Sequence, residues 1–325
     1  MSVSGTIRAL VTRAKKTPAK VEMLAVTDLP KESAIKRTLG KCDVLVEGKQ
    51  VFLILCELAF SQKFPFVFSV DYSTLNYKDA LVASGNYAGL KLPMVGGIDL
   101  AGTVKHSDSP RFAAGDKVFG YGWGMGTDHF GSYAEMASVR SQWLSKLEPA
   151  MRGTFDAASI GTAGYTAMLC IDALIRNGLE KGSGPVLVTG MYSSEEDCER
   201  SSVICTNELL TGATGGVGSI ATAILSHMGQ EVVALSGKAD DAESKAFLTK
   251  IGAAEVRARS DLEADPKPLA AEVYAGCVDT VGGKVLANAI TMAKYGSTVA
   301  ACGLAGGMGL GTTVAPFILR GVQVV

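Results

Sequence analysis

The second half of the chain alternates short apolar runs with helical patterns, and this alternation constrains the fold more than any other feature. An apolar run of a few residues ends at glycine, a helical pattern follows, and the cycle repeats. The runs are PVLVTG, EVVALSG, GCVDTVGG and STVAACGLAGG, and the helical patterns are VGSIATAILSHMG, AESKAFLTKIG and KVLANAITMAKYG. This order predicts a doubly wound parallel α/β sheet, because parallel strands need helical crossovers.

The first of these strand-to-helix turns carries three regularly spaced glycines, Gly212, Gly215 and Gly218. Glycines at such a turn let the backbone approach a pyrophosphate, which then lies at the positive end of the helix. The spacing predicts a dinucleotide-binding loop, and the alternative is a tight turn without a ligand.

The end of the second strand indicates which dinucleotide binds. Sites for NAD usually carry Asp or Glu there, to bond the ribose 2′-hydroxyl. Here the strand ends in Ser236, Gly237 and Lys238, which suit a 2′-phosphate and predict NADPH. Asp240 and Asp241 lie nearby but on the next helix, and the alternative for Lys238 is a solvated surface lysine.

The sequence TGATGGVG also occurs in short-chain dehydrogenases, which place a Y-x-x-x-K pair downstream. The tyrosines after Gly218 are Tyr274 and Tyr295, and the residues four positions later are Val278 and Val299. This pattern excludes the short-chain class.

The first half, to about residue 146, has short strand-like runs between glycines and predicts a mostly antiparallel domain. A long apolar helical pattern at DAASIGTAGYTAMLCIDALI is predicted to connect the domains. The predicted limits are a mostly antiparallel domain over 1–154 and a dinucleotide-binding domain over 155–325.

Composition indicates which kinds of partner and which cellular location to expect. A net charge of −1 gives no electrostatic reason to expect nucleic acid or a membrane surface. The apolar run Val51 to Phe60 is too short to span a bilayer. Seven scattered cysteines predict reduced thiols and a cytoplasmic location. The basic, acid-poor start leaves an organellar location as the alternative.

Several longer motifs resemble one known family. They are DYSTLNYKDAL, PMVGGIDLAGTV, SDSPRFAAGDKVFGYGWGMGTDHFGSYAE, IGTAGYTAMLC, VDTVGGKVLA, VAACGLAGG and TTVAPFILR. In this order the chain resembles the acrylyl-CoA reductase branch of the zinc-independent medium-chain dehydrogenase/reductases, the quinone-oxidoreductase-like group. The resemblance covers most of the chain and implies a GroES-like catalytic domain followed by a Rossmann domain.

Zinc-dependent members of that superfamily use a Cys and a Gly-His-Glu segment as ligands. The equivalent stretch here is Gly97-Ile98-Asp99, and Asn76-Tyr77-Lys78-Asp79 stands where the ligating Cys would begin. Isoleucine cannot bind a metal, so no metal is expected. Without a metal, conjugate reduction of an activated alkene by NADPH fits better than alcohol oxidation.

The resemblance also implies the site residues. Tyr77 is expected beside the nicotinamide, with Asn76, for orientation and proton donation, and the alternative is that Tyr77 only packs against the cofactor. Cofactor contacts are expected at Thr214, Gly215, Gly216, Val217, Ser236, Gly237, Lys238, Arg259 and Leu304, besides the glycines of the loop. The family usually has Arg where Lys238 stands, so Arg259 is expected as a second partner of the 2′-phosphate.

The expected function is reduction of an acrylyl-CoA-type enoyl thioester. The alternatives are a quinone or enone reductase, and a catalytically inactive dinucleotide-binding product of a faulty gene model. Two segments, about 47–68 and 191–212, are extra relative to the family, and relatives continue past PFILR, which suggests retained introns and a lost final exon. The full-length form is expected to be a homodimer.

Overall fold

The computed structural model describes residues 6–12, 20–25, 45–46, 66–190, 213 and 215–325. These residues form two compact units that separate between Thr162 and Ala163. The predicted limit at residue 154 coincides with the first residue of the helix that leads into the second unit, and the functional limits stay a prediction. The extra segment 191–212 lies outside the described residues. Of the extra segment 47–68, residues 47–65 lie outside them and residues 66–68 belong to a described strand.

The first unit is built from two small sheets. One has the strand order β2-β1-β5, and the other has the order β3-β4-β6-β7-β9 with β8 on β4. Its strands are β1 Thr6–Thr12, β2 Lys20–Ala25, β3 Leu45–Val46, β4 Phe66–Tyr72, β5 Met94–Val95, β6 Asp99–Ser107, β7 Lys117–Tyr121, β8 Met136–Ala137 and β9 Ser145–Lys146. Apart from the parallel pair β3 and β4, the described pairings are antiparallel.

A short helix, α1 (Tyr77–Ala83), follows β4. It begins because Asn76 and Asp79 form a capping box, in which side chain and backbone satisfy each other's polar groups at the helix start. The sequence patterns did not predict this helix, although the spacing Asn-x-x-Asp was a usable signal.

The connecting helix α2 spans Thr154–Arg176 and is interrupted at Gly161, whose backbone has φ 53° and ψ −169°. By length and composition it is the one described helix that is apolar enough to cross a membrane. The break leaves neither part with the roughly 20 helical residues that a span requires.

The second unit is a six-stranded parallel sheet with the order β12-β11-β10-β13-β14-β15. Its strands are β10 Val186–Val188, β11 Val232–Ser236, β12 Glu255–Ala258, β13 Tyr274–Asp279, β14 Ala293–Ala301 and β15 Gln323–Val324. The helices are α3 Gly216–His227, α4 Ala242–Lys250, α5 Gly283–Thr291 and α6 Ala315–Arg320. An antiparallel domain followed by a doubly wound parallel sheet is the predicted fold, and it is confirmed.

The end of α5 differs from the sequence pattern, which extended the helix to Gly296. The helix stops at Thr291, and β14 begins at Ala293, which pairs with Tyr274 of β13. Pairing of β14 with β13 therefore outweighs the local helical pattern, as tertiary contacts commonly do.

The central strands explain the continuous apolar runs of the sequence. Every residue of β10, β11 and β13 is buried. Successive side chains point to opposite faces, so one core contains Val186, Val188 and Ala234, and the other contains Leu187, Val233 and Leu235. A sheet covered on both faces exposes its ligand-binding edge only where the strands end.

Candidate active site and dinucleotide-binding edge

Asn76 and Tyr77, the two predicted catalytic residues, lie together at the start of α1. Asn76 is the N-cap, and its backbone N–H donates to Oδ2 of Asp79 at 2.9 Å. Tyr77 is the first helical residue, and its side chain is 40% exposed. The start of the helix thus exposes Tyr77 to solvent beside Asn76, whose backbone is bonded to Asp79.

The amide group of Asn76 is held by two carboxylates. Its Nδ2 lies 3.0 Å from Oδ2 of Asp99, 3.2 Å from Oδ2 of Asp79 and 3.0 Å from the hydroxyl of Thr74. Ionised carboxylates only accept hydrogen bonds, so the amide nitrogen has to face them. Both amide hydrogens are used within the protein, so the Asn76 side chain is held in one orientation at the helix start.

Asp79 is buried in the wall of this site. Its Oδ1 accepts the backbone N–H groups of Gly97 and Ile98 at 3.2 and 3.0 Å. Burial raises the pKa of Asp79 to about 6, while the hydrogen bonds from Asn76 oppose the rise and the nearby Asp99 adds to it. Sequence reasoning did not assign Asp79 to the site, although the capping-box spacing pointed to it.

Asp99 is the second buried carboxylate and the centre of a wider network. It accepts the backbone N–H of Thr162 at 2.9 Å, and the hydroxyls of Thr162 and Thr74 donate to the same carboxylate. The break in α2 makes room for this arrangement: a Cβ at Gly161 would lie 2.9 Å from Asp99 Oδ2, and the φ of 53° favours glycine. The sequence had marked Asp99 only as the residue after Ile98.

Two half-buried tyrosines, Tyr133 and Tyr121, line the same region and stay protonated. The hydroxyl of Tyr133 donates to the carbonyl of Thr74 at 2.8 Å, and burial, followed by the charge of Asp79, raises the pKa of Tyr133 far above its usual range. Burial likewise raises the pKa of Tyr121 to about 12. Neither phenol therefore adds a negative charge to this described region at neutral pH.

The two histidines described in the first unit contact other side chains of the protein. His106 lies 3.0 Å from Asp108 at the surface, and His129 packs edge-on against Trp143 with ring centroids 4.8 Å apart. Burial lowers the pKa of His129 to about 4, so it is neutral at physiological pH. Within the described ranges no three His, Cys, Asp or Glu side chains gather as a metal site would require, and the expectation of no metal stays a prediction.

In the second unit, the predicted phosphate loop lies where β10 leads to α3. Gly215 is the N-cap of α3 and supplies no side chain, and the first turn, which contains Gly216, Val217 and Gly218, carries no acidic residue. A Cβ at Gly216 would lie 2.8 Å from the Cβ of Ala163, so the helix start is tightly packed. This helix start suits a pyrophosphate. Gly212 and Thr214 lie outside the described residues.

Ser236 and Lys238 form a compact turn at the end of β11. The buried Ser236 accepts the backbone N–H of Lys238 on Oγ at 3.0 Å, with the exposed Gly237 between them. A hydroxyl that accepts in this way keeps its hydrogen as a donor. The carboxylate of Asp241 belongs to the next helix, where its Oδ2 caps α4 by accepting the Ser244 N–H at 2.8 Å. The turn therefore fits a 2′-phosphate better than a 2′-hydroxyl.

Arg259 lies beside this turn. It directly follows Ala258, which pairs with Ser236 across the parallel strands β11 and β12. Its Nε is 2.5 Å from Oε1 of Glu263. The structure thus brings Arg259 to the strand end that carries Ser236. Leu304, 54% exposed, lies instead in the segment after β14.

Known proteins resemble the chain over both units. The alcohol dehydrogenase GroES-like domain family matches residues 66–149. The acrylyl-CoA reductase AcuI of Ruegeria pomeroyi is 43% identical over 310 residues, which are 95% of this chain and 76% of that protein. The putative quinone oxidoreductase YhfP of Bacillus subtilis is 41% identical over 257 residues, which are 78% of this chain and 70% of that protein.

Solved structures agree with these relatives. The Escherichia coli K-12 YhdH structure with bound NADPH has a TM-score of 0.75 and 38% identity, covering 97% of this chain and 80% of that one. The Bacillus subtilis yhfP structure with bound NAD has a TM-score of 0.74 and 33% identity, covering 98% and 81%. The chain therefore belongs to the acrylyl-CoA reductase and quinone-oxidoreductase-like branch of the medium-chain dehydrogenase/reductase superfamily of oxidoreductases.

Proposed function

We propose that the protein reduces the activated C=C bond of an enoyl thioester of the acrylyl-CoA type, with NADPH as the reductant. The observation that carries the proposal is the turn at the end of β11, where Ser236, Lys238 and the adjoining Arg259 suit a 2′-phosphate. The 43% sequence identity to an acrylyl-CoA reductase supports the proposed class of substrate.

The second unit would bind the coenzyme through its own backbone and side chains. The uncapped first turn of α3 offers N–H groups to the pyrophosphate. The Ser236 hydroxyl and the cations of Lys238 and Arg259 would hold the 2′-phosphate. Gly212 is a further contact expected from the glycine spacing, and Thr214 and Leu304 are contacts carried over from the family. When bound, NADPH supplies the hydride for the β-carbon of the substrate.

The first unit would supply the proton. Reduction leaves an enolate whose α-carbon needs a proton, and the exposed hydroxyl of Tyr77 is the donor that α1 presents. Asn76 orients the start of the helix through its bonds to Asp99 and Asp79. The competing role for Tyr77, packing against the nicotinamide, predicts weaker NADPH binding rather than slower proton transfer.

The test is NADPH oxidation by the purified protein with acryloyl-CoA, compared with a quinone. We expect turnover with the thioester, and a Tyr77→Phe variant should lose about a hundredfold in kcat with little change in the dissociation constant of NADPH. Tyr295→Phe is the matched control, because Tyr295 is an exposed tyrosine of the second unit. A Tyr77→Phe enzyme with unchanged kcat would refute the proton-donor role.

A quinone or enone reductase is the second candidate, and the name of the Bacillus subtilis relative favours it. Turnover of the quinone with none of acryloyl-CoA would support it. Binding of NADPH, followed by fluorescence, without turnover of either substrate would instead support an inactive dinucleotide-binding protein.

A homodimer of the full-length form, located in the cytoplasm, completes the proposal, with an organellar location as the alternative. The strand β15 lies at the edge of the described parallel sheet, where a second copy can add its own strand. Size-exclusion chromatography with light scattering tests the dimer, and cell fractionation tests the location.

A further inference from the structure

The segment Val278 to Gly283 contains a buried carboxylate that the proposed chemistry does not use. Asp279 ends β13 and has no exposed surface. Its Oδ1 accepts the hydroxyl of Thr189 at 2.6 Å, and its Oδ2 accepts the backbone N–H of Gly282 at 2.7 Å. Burial raises the pKa of Asp279. A carboxylate so deeply buried is costly unless hydrogen bonds satisfy its oxygens, and Thr189 and Gly282 supply these bonds.

One group that it holds is Thr189, at the end of β10. The Thr189 hydroxyl donates to Asp279 and accepts the backbone N–H of Thr280 at 3.1 Å. The Thr280 hydroxyl in turn donates to the carbonyl of Thr189 at 3.0 Å. These bonds join the ends of β10 and β13 beyond the ladder pair Val188 and Val278. Thr189 directly precedes Gly190, from which the chain continues toward the glycine-rich loop.

The segment after β14 is hydrogen-bonded to Asp279 as well. The carbonyl of Asp279 accepts the backbone N–H of Cys302 at 2.8 Å, and Val281 accepts that of Gly306 at 2.6 Å. A Cβ at Gly303 would lie 2.0 Å from the carbonyl oxygen of Thr280, so only glycine allows this approach. Asp279 thus lies where the segments following β10, β13 and β14 meet.

This meeting point lies at the topological switch of the sheet. The chain runs outward from β10 to β11 and β12 on one side, and from β13 to β14 and β15 on the other. Dinucleotides bind across the strand ends at such a switch point. Since Ser236 and its 2′-phosphate partners lie on the β11 side, the nicotinamide half would extend over β13 and β14.

We propose that Asp279 is a positioning residue for the nicotinamide half of the bound coenzyme, and that it acts through the Thr189 hydroxyl and the Gly282 N–H. The inference rests on the proposed dinucleotide binding. Asp279 and Ser236 lie on opposite sides of the switch point. The proposal therefore predicts that a change at the Asp279 network weakens binding of the nicotinamide half of NADPH and leaves binding of the adenosine half unchanged.

The experiment compares Thr189→Val, which removes the hydroxyl at nearly constant shape, with Thr189→Ser, which keeps it. Dissociation constants are measured for NADPH and for 2′,5′-ADP, which contains the adenosine half alone. We expect Thr189→Val to weaken NADPH binding about tenfold, because the ends of β10 and β13 lose a bond that positions them relative to each other. Binding of 2′,5′-ADP should stay within about twofold, and Thr189→Ser should bind both ligands as the unchanged protein does.

Thr280→Val provides a second test if Thr189→Val does not fold. It removes only the bond to the Thr189 carbonyl and should weaken NADPH by about threefold with 2′,5′-ADP unaffected. Equal weakening of both ligands, or unchanged NADPH binding in a folded Thr189→Val protein, overturns the inference. If the unchanged protein binds neither ligand, the proposed function itself fails.

Discussion

The side-chain amide of Asn76 donates to the Asp99 carboxylate at 3.0 Å, and this bond joins the start of the Tyr77 helix to strand β6. The same carboxylate accepts the backbone N–H of Thr162, next to the break in α2. Asp99 therefore fixes the beginning of α1 and the course of α2 within one unit. Asp99 thereby holds the start of the helix that carries Tyr77. None of the hydrogen bonds described for Asp99 involves Tyr77 itself.

An Asp99→Asn variant should be destabilised by about 2–4 kcal/mol, because an amide in place of one oxygen faces donors in a buried site. Chemical denaturation followed by circular dichroism measures the change. Asp265→Asn is the control, since Asp265 is an exposed residue paired with Lys284 at the surface, and it should unfold as the unchanged protein does. An unchanged midpoint for Asp99→Asn would mean that the network contributes little to stability.

Asp79 should make stability depend on pH. Its pKa is raised to about 6 in the folded protein from 3.8, so the folded state binds the proton more tightly, and this contribution is lost as the pH rises through 6. The stability of the unchanged protein relative to Asp79→Asn should fall by about 2 kcal/mol between pH 4.5 and 7.5. Urea titrations of both proteins at the two pH values measure this, and a pH-independent difference would contradict the raised pKa.

Glu263 should tune the choice of coenzyme. Its carboxylate holds Arg259 at 2.5 Å and so competes with a 2′-phosphate for the guanidinium. Glu263→Gln should raise the preference for NADPH over NADH by about two- to fivefold, the size expected for a partly exposed ion pair.

The matched control for this change is Glu255→Gln. Glu255 forms a similar pair with Arg257 at 2.7 Å on the same strand but is not paired with Arg259. Its replacement should leave the ratio of the two dissociation constants unchanged. A ratio that moves equally in both variants would point to a general effect of surface charge.

Gly303→Ala should destabilise the protein and weaken NADPH binding together. The added Cβ would lie 2.0 Å from a backbone oxygen, so the segment after β14 has to move away from β13. Overpacking of this kind costs about 1–3 kcal/mol. Gly309→Ala, where a Cβ meets nothing within 4 Å, is the control. Thermal melting and NADPH titration compare the two, and equal behaviour would contradict the close packing of this segment.

Much of the architecture could be predicted from local pattern. Continuous apolar runs between helical patterns indicated the parallel sheet, because strands covered on both faces need apolar side chains on both. The start of α3 at Gly216 and the turn from Ser236 to Lys238 could be located for a similar reason, since each is formed by adjacent residues, and their role as coenzyme contacts stays a prediction. The short helix α1 and the early end of α5 were missed, the first because its capping signal was overlooked and the second because pairing with β13 determines where β14 begins.

The amino-acid sequence by itself determined the order of strands and helices, the helix start that suits a pyrophosphate and the position of Asn76 and Tyr77 side by side. Tertiary structure alone decided that Asp99 meets Asn76, and that Thr189 and Asp279 meet at the switch point. The physical reason is that these contacts join residues far apart in the chain. Strand order, register and the break at Gly161 bring them together, and none of these can be deduced from the neighbours of a residue in sequence.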